Sequence, residues 1–233
     1  LGLAFGTTVR RKTGKENPQI AVGRDGRLSS ESLARALMEG LAQTGAAMQD
    51  LGRGPTPMMN FAVKEYALDA GVMVTGSHNP PDYNGFKMTL YKESIYGAAI
   101  QDLGALAVSG DFLTGKGDIA PRDLKSAYVA RLLKDYAGRR DLTIAWDAGN
   151  GAAGEILRML TQKLPGKHIL LFDEIDGTFP NHHPDPTVDK NLKDLQKAVK
   201  DNQCDLGIAF DGDGDRLGVV DEHGAVLRCD ILM

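Results

Sequence analysis

The chain has 233 residues, of which 42% are hydrophobic and 25% charged, and its formal net charge is -4. This length favours two domains of about 100–150 residues each, and the charge leaves no basic surplus for a nucleic-acid partner. No apolar run approaches the roughly 18–20 residues of a membrane span, and no leader pattern of basic and then apolar residues marks secretion, so we expect a cytoplasmic protein without a membrane partner.

Strand patterns and helix patterns alternate along the chain, which is typical of α/β folds. The first half predicts, in order, strand 19–22, helix 30–44, a helix that ends at residue 66, strands 70–74 and 86–91, and helix 98–108. The second half predicts helix 124–136, strand 142–146, helix 152–160, strand 168–172, helix 192–200, strand 205–210 and a hairpin of strands 217–221 and 225–227.

The two halves predict two tandem three-layer α/β/α domains, each with a mixed sheet between two layers of helices. Between the halves, the segment Gly115-Lys116-Gly117-Asp118 has the composition of a boundary. We therefore divide the chain into a first domain of residues 1–118 and a second domain of residues 119–233.

An acidic loop follows strand 205–210, where Asp211, Asp213 and Asp215 alternate with glycines. Glycine permits positive φ, so the loop can fold until alternate side chains point inward together. Three carboxylates packed that closely repel one another and need a cation or protonation. Hard oxygen ligands select Mg²⁺ or Ca²⁺. The loop therefore predicts a metal site, and its alternative is a solvated acidic turn.

The same loop also resembles part of an EF-hand, because the three aspartates and Glu222 take the first, third, fifth and twelfth positions. The sixth position of an EF-hand needs Gly for its sharp turn and here is Arg216. Strands also flank the loop where helices should lie, so we reject the EF-hand. Arg216 instead adds a permanent cation suited to phosphate oxygens, and a metal beside an arginine indicates phosphoryl transfer.

A second loop supplies a candidate nucleophile. Ser77 follows Gly76 directly after strand 70–74, at the sheet edge where open α/β sheets bind ligands. A serine hydrolase would need G-x-S-x-G, which is absent, and the neighbours Ser77 and His78 need not face each other as a triad requires. Taken alone, the loop could equally hold a hydroxyl that satisfies nearby backbone groups.

Together the two loops resemble the α-D-phosphohexomutase family, most closely its bacterial phosphomannomutase/phosphoglucomutase branch. The resemblance rests on the run from Thr75 to Lys87, TGSHNPPDYNGFK, and on DGDGDR from Asp211 to Arg216. It extends to shorter matching stretches at residues 23–27, 54–57, 147–151 and 179–186. The likeness therefore covers essentially the whole chain, with the phosphoserine loop in the first domain and the metal loop in the second.

The resemblance implies an isomerase that interconverts hexose 1- and 6-phosphates through a phosphoserine and a bisphosphate intermediate. Ser77 would carry the phosphate, and Ser77 with the three aspartates would hold Mg²⁺. His78 and Lys87 would assist proton transfer or bind phosphate, and Arg216 would lie beside the phosphoserine. The alternatives are a snorkelling Lys87 and a structural His78. The substrate would be a small phosphosugar, and phosphoglucosamine mutase is the nearest alternative activity.

The family's members have four domains, of which the third and fourth recognise the sugar and its terminal phosphate. This chain ends at Met233, about where a second domain should end, and Leu1 reads as the middle of a helix. We therefore expect an N-terminal two-domain fragment that is inactive alone. Uncovered apolar surface favours self-association of such a fragment.

A competing prediction from a different class comes from Gly149 to Gly154, GNGAAG, which satisfies the dinucleotide fingerprint G-x-G-x-x-G after a strand. Asp173 then ends the following strand, as that fingerprint asks. Against it, Asp147 lies where a pyrophosphate would approach, and two anions repel. We interpret the glycines as a structural turn and expect no organic cofactor. Likewise, the pair His182-His183 lacks a nearby third nitrogen ligand and predicts a turn rather than a transition-metal site.

Overall fold

The computed structural model describes residues 1–91, 93–138 and 140–227, and these residues form two compact units. The first unit combines Leu1–Arg24, Ser29–Thr75 and Asn84–Leu124. The second combines Asp25–Leu28, Gly76–Tyr83 and the described part of Lys125–Met233. Two short loops from the first half of the sequence therefore belong to the second unit. The domain division between residues 118 and 119 stays a prediction.

The first unit is built on a six-stranded mixed sheet. Its elements are α1 Gly2–Thr13, β1 Gln19–Arg24, α2 Ser30–Ala42, β2 Ala47–Arg53, α3 Thr56–Glu65, β3 Ala70–Val74, β4 Phe86–Leu90, β5 Glu93–Ser94, α4 Ala98–Ser109 and β6 Ile119–Pro121. The strand order is β5-β4-β3-β1-β2-β6. Strands β3, β1, β2 and β6 run parallel, and β4 and β5 add antiparallel pairs.

Helices cover both faces of this sheet. Phe5 of α1 and Leu41 of α2 are fully buried in one core with Val72 of β3. On the other face, a methyl group added at Gly71 would lie 2.3 Å from the sulfur of Met59 in α3, so the glycine lets that helix approach the strand. The predicted α/β/α layering is confirmed for this unit.

The sequence did not predict β2, β5 or β6. Strand β2 escapes a hydrophobic-pattern search because Gln49 and Asp50 interrupt it. Within the first unit, Arg122 donates to Gln49 at 2.8 Å and Arg24 donates to Asp50 at 2.6 Å. These arginines satisfy the polar side chains, so the strand can pair on both sides despite them.

The second unit has a five-stranded mixed sheet. Its elements are α5 Lys125–Lys134, β7 Leu142–Asp147, α6 Gly154–Thr161, β8 Gly166–Leu171, a short 3₁₀ helix Asp189–Leu192, α7 Lys193–Asp201, β9 Leu206–Phe210, β10 Leu217–Asp221 and β11 Val226–Leu227. The strand order is β11-β10-β9-β7-β8. Strands β9, β7 and β8 run parallel, and β10 and β11 are antiparallel.

Alternation along β7 separates two cores in this unit. Ala145 packs with Leu195 and Val199 of α7, whereas the next residue, Trp146, packs with Leu157 of α6. Neighbouring residues of a strand face opposite sides of a sheet, so the two helices cover opposite faces. Because β7 and β9 are parallel, their carboxyl ends lie at one edge, and the loops that follow them meet there.

Candidate active site

Ser77 and Asp211 are joined directly in the second unit. The Ser77 hydroxyl donates a hydrogen bond to Asp211 Oδ2 at 2.9 Å. Ser77 is only 7% exposed, and its φ of 52° lies in the left-handed region that non-glycine residues seldom occupy. Such a conformation persists where surrounding contacts impose it, and it occurs often at functional sites.

The acidic loop is the turn between β9 and β10. Asp211 Oδ1 accepts hydrogen bonds from the backbone N–H groups of Asp215 and Arg216 at 3.1 and 3.0 Å, which curls the loop around this carboxylate. Gly214 allows the curl with a φ of 68°. As a result, one oxygen each of Asp211, Asp213 and Asp215 lie within 4.8 Å of one another. These three residues could hold a metal ion.

The electrostatics of the loop fit a cation. Burial and the charge of Asp213 raise the pKa of Asp211 to about 6, although hydrogen bonds from Arg216 and Ser77 oppose the shift. Asp211 and Asp213 are both fully buried. Carboxylates that repel each other away from water gain most from a positive ion between them. The oxygen donors and the crowding therefore both suit a hard divalent cation.

His78 and Arg216 form the polar surroundings of Ser77. Arg216 Nη1 lies 2.9 Å from His78 Nδ1, and that ring nitrogen lies 3.4 Å from Ser77 Oγ. A guanidinium only donates hydrogen bonds, so His78 Nδ1 is the acceptor in this contact. Arg216 itself is exposed, which leaves its remaining N–H groups accessible to an anion.

The two histidines that follow Asn181 hold the site rather than form a metal centre. His183 Nε2 donates to the backbone carbonyl of His78 at 2.6 Å. His182 Nε2 lies 2.9 Å from buried Asp147 Oδ2, and its Nδ1 lies 3.0 Å from the carbonyl of His183. Both ring nitrogens of His182 therefore face acceptors. Burial disfavours its charged form, yet the hydrogen bond and the charge of Asp147 raise the pKa of His182 overall.

The glycine-rich turn after β7 packs against the acidic loop. The backbone N–H of Ala152 donates to the carbonyl of Gly212 at 2.9 Å, and a methyl group added at Gly151 would lie 2.9 Å from that same oxygen. At Gly154 an added methyl would lie 2.1 Å from the carbonyl oxygen of Asp173. The glycines permit these close backbone approaches, so the interpretation as a structural turn is favoured over a dinucleotide site.

Of the residues predicted from sequence, the second unit brings together Ser77, His78, Arg216 and the three aspartates. Lys87 lies on β4 in the first unit, opposite Met73 of β3, and its role stays a prediction. Sequence reasoning assigned no site role to His183 or to Arg27, although both lie in stretches that match the family, residues 179–186 and 23–27.

Both halves of this chain are similar in sequence to known proteins. The family profiles described as phosphoglucomutase/phosphomannomutase, alpha/beta/alpha domain I and domain II, match residues 1–101 and 126–224. A phosphomannomutase/phosphoglucomutase of Pseudomonas aeruginosa is 42% identical over 233 residues, which cover 100% of this chain and 50% of the relative. A phosphoglucomutase of Neisseria gonorrhoeae is 43% identical over 214 residues, or 91% of this chain and 46% of the relative.

The same similarity extends to solved structures. An X-ray structure of a phosphoglucomutase/phosphomannomutase family protein from Burkholderia thailandensis superposes with a TM-score of 0.93 at 43% identity. That match covers 98% of this chain and 51% of the other. The chain spans about half the length of the curated relatives it matches. Two consecutive domain matches, the sequence identity and the shared fold place this chain in the phosphoglucomutase/phosphomannomutase family of phosphohexomutases.

Proposed function

We propose that this chain carries the phosphoryl-transfer part of a phosphohexomutase, which interconverts hexose 1-phosphate and hexose 6-phosphate. The observation that carries the proposal is the 2.9 Å hydrogen bond from Ser77 to Asp211, because it joins a buried hydroxyl to the acidic cluster. A nucleophile beside a cation site is the arrangement that phosphoryl transfer uses. The alternative of a dinucleotide-binding domain is not favoured, since the backbone N–H of Ala152 in the glycine-rich turn already donates a hydrogen bond to the carbonyl of Gly212.

In the proposed reaction, phospho-Ser77 donates its phosphoryl group to the free hydroxyl of a hexose monophosphate. The bond from phosphorus to Ser77 Oγ breaks, a bond from phosphorus to the sugar oxygen forms, and the proton of the sugar hydroxyl ends on Ser77 Oγ. The bisphosphate then turns over, its other phosphorus forms a bond to Ser77 Oγ as its bond to the sugar oxygen breaks, and the Ser77 proton returns to that sugar oxygen. When bound by Asp211, Asp213, Asp215 and an oxygen on Ser77, Mg²⁺ supplies positive charge against the serine oxygen as it leaves phosphorus.

The other proposed roles follow from charge and hydrogen-bonding capacity. Arg216 is exposed and always protonated, which suits it to phosphate oxygens. His78 contacts Arg216 through Nδ1, and we propose that its imidazole assists proton transfer or binds phosphate. Lys87, on β4, is proposed to assist proton transfer or to bind phosphate. This assignment rests on the role that the resemblance to the family implies for the lysine at this position.

The substrate is proposed to be mannose or glucose phosphate, with glucosamine phosphate as the alternative. Turnover of the whole protein on these three sugars would rank them. A cytoplasmic location also stays a prediction. Within the described ranges, no helix combines the length and the apolar character needed to cross a membrane.

The test of the proposal is phosphate transfer to Ser77 in the whole protein. After incubation with glucose 1,6-bisphosphate and Mg²⁺, the intact mass should rise by one phosphate, and peptide mapping should locate it on Ser77. The Ser77→Ala variant should take up none. Phosphate on His78 instead, or normal turnover in Ser77→Ala, would contradict the proposed mechanism.

A further inference from the structure

The loop that carries Ser77 encloses the side chain of Arg27. The guanidinium donates to the backbone carbonyls of Ser77 and Asn79 through Nη2, at 2.8 Å each. Through Nη1 it donates to the carbonyl of Tyr83 at 3.0 Å and to that of Pro80. One side chain therefore binds four carbonyl groups within seven consecutive residues of the loop, from Ser77 to Tyr83.

Asp25 balances the charge of this arginine. Arg27 Nε donates to Asp25 Oδ2 at 3.1 Å, so all five guanidinium hydrogens have acceptors. The same carboxylate accepts from the backbone N–H of Arg27 at 3.0 Å and from that of Gly76 at 3.3 Å. The pair is 2% exposed at both residues. A buried ion pair is stabilised by such additional hydrogen bonds.

The space around the guanidinium fits it closely. A methyl group added at Gly76 would lie 2.5 Å from Arg27 Cζ, so only glycine leaves room for the flat group there. The ring of Phe179 lies 5.3 Å from the same carbon, within cation–π range. Because every N–H is occupied and the group is enclosed, Arg27 has no donor left for a sugar phosphate.

We propose that Arg27 is a positioning residue of the phosphoryl-transfer site, which holds residues 77–83 in the shape that directs Ser77 Oγ to Asp211. The proposal rests on the proposed function of Ser77. The left-handed backbone of Ser77 needs imposed contacts, and Arg27 binds the carbonyl of that residue. A lysine cannot make the same set of hydrogen bonds, since it offers three donors from a single nitrogen rather than five in a planar fork.

The test compares Arg27→Lys with Arg24→Lys in the whole protein. Arg24 is the matched control because it also forms ion pairs, at 2.6 Å with Glu31 and with Asp50, in the first unit. We expect Arg27→Lys to speed hydrogen exchange about tenfold at the amides of Asn79 and Tyr83, both hydrogen-bonded within the loop. Amides of β7 and β9 should keep their protection, and Arg24→Lys should leave the loop amides unchanged.

The second readout is catalytic. A displaced nucleophile should lower kcat about a hundredfold in Arg27→Lys while KM changes little, because substrate binding does not use this arginine. Gly76→Ala keeps the arginine but displaces it, so it should reproduce both effects, and it decides the matter if Arg27→Lys does not fold. Unchanged loop exchange in the folded variant, or exchange raised equally throughout the second unit, overturns the proposal.

The two proposals fail in different ways. If the unmodified protein takes up no phosphate on Ser77, the proposed function is wrong, and loop exchange still decides whether Arg27 holds the loop. If the unmodified protein is phosphorylated but Arg27→Lys keeps its kcat, the positioning role is wrong and the proposed function stands.

Discussion

The hydroxyl of Ser77 reaches the carboxylate of Asp211 across 134 residues of sequence. The contact joins a candidate phosphate carrier to the acidic loop that contains Asp213 and Asp215. It also accounts for part of the electrostatics of Asp211, because the hydroxyl hydrogen bond favours the ionised form while burial and Asp213 oppose it. We therefore expect the removal of one charge in this loop to stabilise the metal-free fold and to weaken metal binding.

The first prediction concerns Asp213→Asn. Without metal, the free energy of unfolding of the variant should be about 1 kcal/mol higher near pH 7, because the uncharged side chain no longer repels buried Asp211. With Mg²⁺, the unmodified chain should gain melting temperature and the variant should not. Thermal melts with and without Mg²⁺ measure both effects. The control is Glu222→Gln, which should keep the Mg²⁺ response; its loss there would revive the rejected EF-hand assignment.

The second prediction is the pH dependence of metal affinity. The pKa of Asp211 is raised to about 6 in the metal-free protein, and a cation binds the carboxylate only after its proton leaves. Affinity for Mg²⁺ should therefore be nearly constant above pH 6 and fall about tenfold per pH unit below it. Calorimetric titrations in buffers of different ionisation enthalpy would show one proton released near pH 5. An affinity that is flat from pH 5 to 8 would contradict this coupling.

The third prediction concerns His182 and Asp147. Burial lowers the pKa of His182, but the hydrogen bond and the charge of Asp147 raise it above its ordinary value overall. The protonated pair therefore stabilises the fold fully below the unfolded value near 6.5, and this contribution is lost as pH rises through the folded pKa. His182→Gln should cost about 1–3 kcal/mol at pH 6, where it leaves buried Asp147 without its charged donor, and less at pH 9.

Denaturant unfolding at the two pH values measures this difference. His223→Gln is the control, because His223 has 82% of its side chain exposed beside Glu222. It should change the free energy of unfolding little at either pH. A cost for His182→Gln that grows with pH would contradict the protonated pair.

The fourth prediction separates a structural turn from a cofactor site. Gly154→Ala should destabilise the protein by about 1–3 kcal/mol, because the methyl would meet the backbone of Asp173. Gly104→Ala is the control, because Gly104 lies in α4 with open space around it. Alanine there should raise the free energy of unfolding by about 0.5–1 kcal/mol. Thermal melts with NAD should show no shift. A rise in melting temperature with NAD would restore the dinucleotide alternative.

The sequence allowed much of this fold to be predicted where apolar runs were unbroken. Strands β3 and β9 are such runs, and the loops of Ser77 and Asp211 follow their carboxyl ends, as the sequence predicted. Strand β2 was missed because its polar residues are satisfied only by arginines elsewhere in the fold. In the site, alternation with glycine predicted the convergence of the aspartates.

Contacts distant in sequence could not be derived from local patterns. Nothing in the composition of residues 25–27 indicates that Arg27 is enclosed by a loop 50 residues away. The link between Ser77 and the aspartates came from the resemblance to a family, and the structure then supplied its geometry. Whether a charged side chain is buried depends on the complete fold, so local sequence patterns do not predict buried ion pairs such as that of Arg27 with Asp25.

The last prediction is for this chain alone. It should fold, because each unit has its own buried core, and it should bind Mg²⁺ through the acidic loop. We expect no sustained mutase turnover, with kcat below about a thousandth of a full-length relative's. The chain spans about half of those relatives, and binding energy from residues remote from the reacting phosphate supports catalysis.

Self-association should accompany this inactivity. Helix α4 exposes 46% of Ile100 and 90% of Val108, and 76% of Tyr96, which precedes the helix, is exposed. Exposed apolar side chains of this size favour contact with another molecule. Sedimentation should show a mass that increases with concentration, and Val108→Lys should reduce the association. The kinetic assay uses the Pseudomonas aeruginosa relative as its positive control. Turnover by this chain near that of the relative would mean that these two units contain the whole site, and the proposed division of catalysis and sugar binding would be wrong.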